Sequence, residues 1–359
     1  MSERLYLDHA ATSPLHPAAA AELAAGASGR HPAASGAQAR LAAALRIVPE
    51  RLVLTEGGSQ ANALALRALA ARGRAAGRLH VISQRSEHPS VLETLAELEA
   101  EGCEVEWLGL DAEGLVDPAE LQRRLRPETS FVSVMSANHE TGTLQPTERL
   151  AELCAAAGVP FHSDAVQALR YFSPDELAGD LLTLGGHKLQ GPRGIGALIL
   201  SEDAAALALD LACRAPSPSR VQALAAALEV APPRAAPGLA ANRDALQAEL
   251  SAAIPGLEVN GGQEAGARLP GHLSLSVPGL SGEALVLDLD LAGIAASSGA
   301  ACSSGTEGPS PVLLAMGRDR AQASGSLRLT LGRLLSAGER ERVVDALAAS
   351  VSRLRALFD

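Results

Sequence analysis

From residue 51 to residue 200 the chain alternates short apolar runs with segments of helical length, and this alternation constrains the fold more than any other feature. "RLVLT" precedes the helical "SQANALALRALAARG", which Gly73 is expected to close. "LHVIS" (79–83) precedes "PSVLETLAELEAEG", a helix pattern with Pro at its start and Gly at its end. "FVSVMS", "VPFHSD" (159–164), "LLTLGG" (181–186) and "GIGALIL" (194–200) read as further buried strands. Strands interleaved with helices predict an α/β fold: a mostly parallel sheet wound by right-handed crossovers.

In such sheets ligands bind beyond the carboxyl ends of the strands. Ser86–His88, Asn138–Glu140, Asp164–Gln167 and His187–Lys188 each follow a predicted strand, so four polar clusters converge on one edge. Lys188 stands out among them. The chain has 30 Lys+Arg, and Lys188 is its one lysine. Arginine and lysine serve almost equally as solvated charges, but a guanidinium stays protonated while an ε-amine loses its proton and condenses with a carbonyl. A lysine left by drift at a surface site is the bland alternative. Its setting among Gly185, Gly186, Gly191, Gly194 and His187 favours a chemical role.

The pattern changes after "CRAPSPSRVQALAAALEVAPPRAAPG" (213–238), a Pro/Ala-rich break with one helix inside it. A helix (239–253), strands at 256–260 and "HLSLSV" (272–277), a helix (282–291) and a strand (293–297) follow. A loop around Cys302, the strand "SLRLTLG" (326–332) and a last helix complete a smaller α+β domain. The N-terminal "LYLDHAA" is expected to join it. The predicted division is a large domain over 14–230 and a small one made of 1–13 and 231–359.

Composition narrows the function. Apolar residues make up 47% of the chain and aromatics 2%, so the core must be mostly Ala, Leu and Val. A net charge of −11 argues against nucleic-acid binding as the main activity. No run approaches the ~18 apolar residues of a membrane span, and the N-terminus has no basic-then-apolar signal pattern. Cys103, Cys154, Cys213 and Cys302 are scattered without a C-x-x-C pair, which excludes a disulfide framework or cysteine zinc cluster and fits a reducing cytoplasm.

A lysine after one strand, an aspartate after a neighbouring strand and a Gly/Ser turn opening a helix together suggest pyridoxal phosphate. Lysine would hold the aldehyde as a Schiff base, and the carboxylate would keep the pyridine nitrogen protonated. "EGGSQAN" (56–62) would receive the phosphate at a helix N-terminus. Taken singly, Asp164 reads equally as an N-cap and "GGS" as a turn. Their shared edge favours the joint reading.

At this point the chain resembles the cysteine desulfurases, a group of the class V aminotransferase-like pyridoxal enzymes, over nearly its whole length. "YLDHAATSP", "SEHPSVL", "ANHETGTLQP", "HSDAVQ", "GGHKLQGPRGIGAL", "SSGAACSSGTEGPSPVLLAMG" and "SLRLTLGR" each look like one of the family's motifs. The resemblance implies the pyridoxal-phosphate fold type I and the long-loop branch. It also implies a homodimer. By that resemblance Lys188, His88 and Cys302 are catalytic: Lys188 carries the cofactor, His88 stacks on its ring and exchanges protons, and Cys302 attacks the substrate sulfur. Asp164 would pair the pyridine nitrogen and Gln167 the phenolic oxygen. Gly58, Ser59, Gly186 and His187 would gather around the cofactor, with His139 in the Asn/Glu loop. Arg328 and Asn138 would hold the substrate, Arg328 through its carboxylate. The implied reaction converts L-cysteine to L-alanine and a persulfide on Cys302 for a sulfur-acceptor protein.

Three departures from the family pattern accompany this. His139 occupies the second position of what is usually an Asn-Asn pair. Gly185 stands where a serine normally helps bind phosphate. The region after "GALIL" is shortened, so that Ser217 in "RAPSP" stands for the threonine that reaches the partner subunit's phosphate. Selenocysteine lyase, another class V pyridoxal enzyme and a low-activity scaffold are the alternatives. The acceptor stays open among a cluster scaffold, a tRNA-thiolation carrier and a DNA-modification partner.

Overall fold

The computed structural model describes residues 4–27, 34–205, 211, 216–232, 234, 236–299 and 308–358. The chain opens with β1 (Leu5–Tyr6), α1 (Pro17–Ala27) and α2 (Ala34–Ala44). The predicted alternation then follows: β2 (Leu52–Thr55), α3 (Gly58–Ala75), β3 (His80–Gln84), α4 (Pro89–Ala100), β4 (Glu104–Leu108), α5 (Pro118–Arg124) and β5 (Thr129–Ser133). It continues through α6 (Thr147–Ala156), β6 (Phe161–Asp164), β7 (Leu181–Gly185) and β8 (Gly196–Leu200) to α7 (Pro218–Val230).

These strands form a seven-stranded sheet in the order β2-β8-β7-β6-β5-β3-β4. It is mostly parallel, as expected, with β8 antiparallel to both neighbours. Alternate side chains of the strands leave in opposite directions. Val81, Phe131, Leu181 and Leu198 pack with α3 and α4. Leu182, Leu184, Ala197 and Ile199 pack with α2 and α7, and Ile82, Val132 and Phe161 with α6. The sheet is therefore sandwiched between helical layers. Polar groups inside it are paired: His162 meets Ser133 Oγ at 2.9 Å through Nδ1 and Thr183 Oγ1 at 3.0 Å through Nε2.

Two local readings are corrected. Gly73 does not close α3, which runs two residues further. A Cβ there would stand 1.8 Å from Ser130 Oγ, so the glycine permits close packing of α3 on β5. The strand β4 has no counterpart in the sequence reading. Its "EVEWL" carries charges because it is an edge, with Glu104 and Glu106 paired to Arg126 and Arg124, a pattern that discourages further strand pairing.

The remaining elements are α8 (Leu239–Ala253), β9 (Glu258–Asn260), β10 (His272–Ser276), α9 (Gly282–Leu291), β11 (Ile294–Ala295) and β12 (Ser297–Ser298). The short helices α10 (Pro311–Ala315) and α11 (Arg320–Ser324), β13 (Ser326–Thr330) and α12 (Ala337–Phe358) end the chain. A four-stranded antiparallel sheet has the order β12-β13-β10-β9. The strand expected over 293–297 is broken at Ala296. Its first half pairs in parallel with β1, its second with β13. The N-terminal segment thus lies against the C-terminal half of the chain, and Thr330 N–H donates to Leu7 O at 2.7 Å.

Candidate active site

Parallel strands deliver their C-terminal residues to one edge, and a cavity of about 590 Å³ opens there. Gly58, Ser59, His88, His139, Asp164, Gln167, His187 and Lys188 line it. The four polar clusters therefore do converge.

Lys188 stands on the turn between β7 and β8. Gly186 N–H closes that turn on Ile195 O at 3.0 Å. The segment 8–16 lies along it: Ser13 N–H donates to His187 O at 2.9 Å, Ser13 Oγ to Lys188 O at 2.8 Å, and His16 N–H to Gln190 O at 2.9 Å. Lys188 Nζ donates to the carbonyls of Ala10 and Ala11, the latter at 2.7 Å. Gln167 Nε2 donates to Ala10 O at 3.0 Å.

Asp164 ends β6. Its Oδ1 accepts from Val166 N–H at 3.0 Å and its Oδ2 from Asn62 Nδ2 at 2.7 Å. Asn62, on the first turns of α3, also donates to Ser90 Oγ at 3.0 Å. Ser90 Oγ lies 2.8 Å from His88 Nδ1, which also accepts from Ser90 N–H at 3.2 Å. With Nδ1 accepting, the network assigns the proton of the neutral ring to Nε2. Asn62 was not among the residues expected at the site. It lies within "EGGSQAN", and the only signal was an asparagine one turn into the helix, just before the apolar run "ALAL".

The start of α3 has no side-chain cap on its N-terminal amides, and such a terminus favours an anion. A Cβ at Gly58 would lie 3.0 Å from Val166 Cγ2, and one at Gly185 3.3 Å from Val166 Cγ1. A serine at 185 would therefore press on Val166, which would have to give by a few tenths of an ångström.

The histidines are held neutral. Burial, then the charges of Lys188 and Arg193, lowers His187 to about 4. Burial also lowers His88, against the pull of Asp164. His139 falls well below the ordinary histidine value through burial and then the neighbouring His88, Arg328 and Lys188. Its ring meets that of His88 edge to face, with centroids 5.5 Å apart. At the position of a family asparagine, a neutral imidazole therefore forms part of the wall.

Four expected residues stand elsewhere. Asn138 does not line the cavity: its Oδ1 accepts from Glu140 N–H and Thr141 N–H at 2.8 and 2.9 Å, and its Nδ2 donates to Ser86 O at 3.0 Å. It shapes the loop after β5. Gly186 is also behind the wall, where a Cβ would lie 2.7 Å from Ile195 Cγ2, and its N–H is already engaged. Arg328 is fully buried in β13, donating to His139 O at 2.9 Å and to Asp8 Oδ1 at 3.0 Å. Ser217 is exposed before α7, 3.1 Å from Ser219 Oγ, and does not line this cavity. Cys302 lies outside the described residues, as does Cys213. Cys103 and Cys154 are buried, free thiols.

Among known proteins, the family model Aminotransferase class-V matches residues 5–211. Cysteine desulfurase IscS of Clostridium botulinum (strain Kyoto / Type A2) is 35% identical over 332 residues, covering 89% of this chain and 83% of the relative. The chain belongs to the cysteine desulfurases of the class-V aminotransferase family. A NifS-like protein has the same fold, with a TM-score of 0.83 at 24% identity over 98% of this chain and 100% of the other. A structure described as SspA in complex with cysteine superposes with a TM-score of 0.75 at 26% identity, over 91% and 98% of the two chains.

This family works with pyridoxal phosphate, and the site fits that group. It offers the chain's one lysine amine, a buried carboxylate fixed through both oxygens, and uncapped helix amides on one cavity.

Proposed function

We propose that this enzyme takes sulfur from L-cysteine, releases L-alanine and holds the sulfur as a persulfide on Cys302 for an acceptor protein. The observation that carries the reading is the meeting of Lys188, Asp164 and the α3 N-terminus on one cavity. Pyridoxal phosphate, when bound, supplies the electron sink that lets bonds at the substrate's carbons break.

The protein's own groups then have distinct tasks. Lys188 would hold the cofactor aldehyde covalently and move the proton at the substrate Cα. Asp164, oriented by Asn62 and Val166 N–H, would keep the ring nitrogen protonated. Gln167 has one amide hydrogen on Ala10 O and a second for the phenolic oxygen. His88 would cover the ring and exchange a proton from Nε2. Gly58 and Ser59 N–H groups and His187 would meet the phosphate, with Ser217 contributed from the other subunit of a homodimer. Arg328, now paired with Asp8 and donating to His139 O, would hold the substrate carboxylate by exchanging one of these partners for it.

The sulfur step balances without an external oxidant. Cys302 thiolate attacks the substrate sulfur, and an S–S bond forms as the Cβ–S bond breaks. The bonding pair stays with carbon and is protonated. Cysteine plus thiol becomes alanine plus persulfide. The 14–230 unit would hold the cofactor, and the unit of 1–13 and 231–359 would carry the thiol. Iron–sulfur cluster assembly is the destination favoured by the relatives' IscS names, and the scattered cysteines favour the cytoplasm. Among the described residues no helix is long and apolar enough to cross a membrane.

The test is mass spectrometry of the Cys302 peptide after incubation with cysteine, alongside an alanine assay. The expected result is a one-sulfur gain on Cys302, absent in Cys302→Ala, which keeps its cofactor colour. Sulfur on Cys103, Cys154 or Cys213 instead would overturn the assignment.

A further inference from the structure

Glu140 follows β5 on the same loop as His139 but does not line the cavity. It is 3% exposed. Its Oε2 accepts a hydrogen bond from Ser310 Oγ at 2.5 Å. Ser310 is fully buried and caps α10, accepting from Leu313 N–H at 3.1 Å, while its own N–H donates to Ala323 O at 3.2 Å. The same Glu140 oxygen faces Gly299. A Cβ built there would lie 2.8 Å from Glu140 Oε2 and 2.5 Å from Ser326 Oγ, and Gly299 N–H donates to Ser326 Oγ at 3.2 Å. Gly299 and Ser310 flank Cys302 in the chain. One carboxylate oxygen from the large sheet therefore meets both ends of the stretch that carries the thiol.

A carboxylate is a costly choice for this place. Burial pushes Glu140 up to about 7, against the Ser310 bond and the Arg328 charge, and an apolar side chain would fill the volume without that cost. What it adds is direction. Its backbone N–H is fixed to Asn138 Oδ1 at 2.8 Å, so the carboxylate is referenced to the end of β5 and through it to the cavity wall.

We propose that Glu140 is a positioning residue for sulfur transfer: by binding Ser310 and standing against Gly299, it fixes where the two ends of the Cys302 stretch stand relative to the cavity. This rests on the reading of Cys302 as the sulfur-accepting thiol. Glu140 touches no substrate in this role. It acts on the approach of the thiol and leaves cysteine binding to the cavity residues.

The experiment uses the holoenzyme with two readouts after rapid mixing with L-cysteine: the absorbance change of the cofactor, and the rate of sulfur gain on the Cys302 peptide. Glu140→Ala and Ser310→Ala are each expected to slow sulfur gain by about tenfold or more, the scale of a lost charge-assisted hydrogen bond. Cofactor content and the cysteine-dependent absorbance change should stay at the wild-type level. Glu140→Gln keeps an acceptor oxygen for Ser310 and should recover most of the rate. The double alanine variant should be no slower than either single one. Gly299→Ala, which displaces the carboxylate, should reproduce the slowing. Unchanged sulfur gain in Glu140→Ala and Ser310→Ala would overturn the inference. So would a parallel loss of cofactor content and absorbance change, which marks Glu140 as a general support of the fold. Wild-type enzyme that gains no sulfur on Cys302 would instead overturn the functional reading, and the inference with it.

Discussion

Two regions meet at the loop of His139 and Glu140, and they are built differently. On the cavity side most residues stand in the turns that follow strands of the seven-stranded sheet or at the starts of α3 and α4, with Ala11 of the N-terminal segment beside them. Each is held by named partners: Asp164 by Asn62 and Val166, His88 by Ser90, Lys188 by Ala10 and Ala11. On the thiol side the flanking elements are short. The strand β12 has two residues and the helix α10 five, and the ends at Gly299 and Ser310 are tied down through side chains. The difference separates two tasks. Ring chemistry needs atoms fixed to a fraction of an ångström, which strands paired on both sides within a buried sheet supply. The proposed sulfur transfer needs the ends of the Cys302 stretch to be defined, and these bonds at Gly299 and Ser310 supply that.

The largest test of the cavity side is Lys188→Arg. A guanidinium keeps the charge but forms no Schiff base, so turnover should fall below detection and borohydride should fix no cofactor to the peptide. Turnover at any substantial rate would break the comparison, because the strand-end lysine would then be dispensable.

Asp164→Ala comes next. Loss of a buried, pre-oriented carboxylate opposite the ring nitrogen should lower turnover on the order of 10²–10³-fold, while borohydride still labels Lys188. Wild-type turnover in this variant would reduce Asp164 to a cap on the turn that follows β6.

A pH experiment probes how rigidly the cavity side is buried. Burial pushes Glu87 up to about 8, and its Oε1 is tied to Met135 N–H at 2.7 Å and Gln84 Nε2 at 2.8 Å. The folded protein therefore holds a proton that the unfolded chain has released between pH 4.5 and 8, so stability on its account falls as pH rises through that window. His162, lowered to about 4 by burial, acts with the opposite sign and loses stability as pH falls from 6.5 toward 4. Glu87→Gln should raise the melting temperature of the apoprotein at pH 8 relative to wild type by a few degrees and leave the acid limb unchanged. Identical melting curves above neutrality would mean that Glu87 is solvated.

The smallest effect is expected at Ser217. It is exposed and away from its own chain's cavity, so Ser217→Ala should weaken cofactor retention on dialysis by only a few-fold, and only in a dimer. Unchanged retention would assign the phosphate to Gly58, Ser59 and His187 alone.

Local pattern carried much of this. The runs at β3, β5, β6, β7 and β8 were legible because these strands are buried along their whole length, and the half-buried edge β2 because "LVLT" carries no charge. The edge strand β4 was not, since its charged residues are an adaptation to having no neighbour on one side. The strand expected over 293–297 was read as one element because nothing in "GIAAS" signals that its halves join different sheets.

The sequence by itself determined the candidates for the chemistry, because a lone lysine, an aspartate after a strand and a glycine turn before a helix are properties of the chain. It also determined that the sheet is mostly parallel, through the spacing of strands and helices. The tertiary structure alone decided what stands beside them. Asn62 on Asp164, Asp8 on Arg328, and Glu140 on Ser310 join residues up to 320 positions apart. Such contacts depend on how α3, the N-terminal segment and the second sheet dock on the first sheet. Docking is fixed by the summed burial of many apolar side chains rather than by any local pattern, so polar partners brought together by it leave no periodic trace in the sequence.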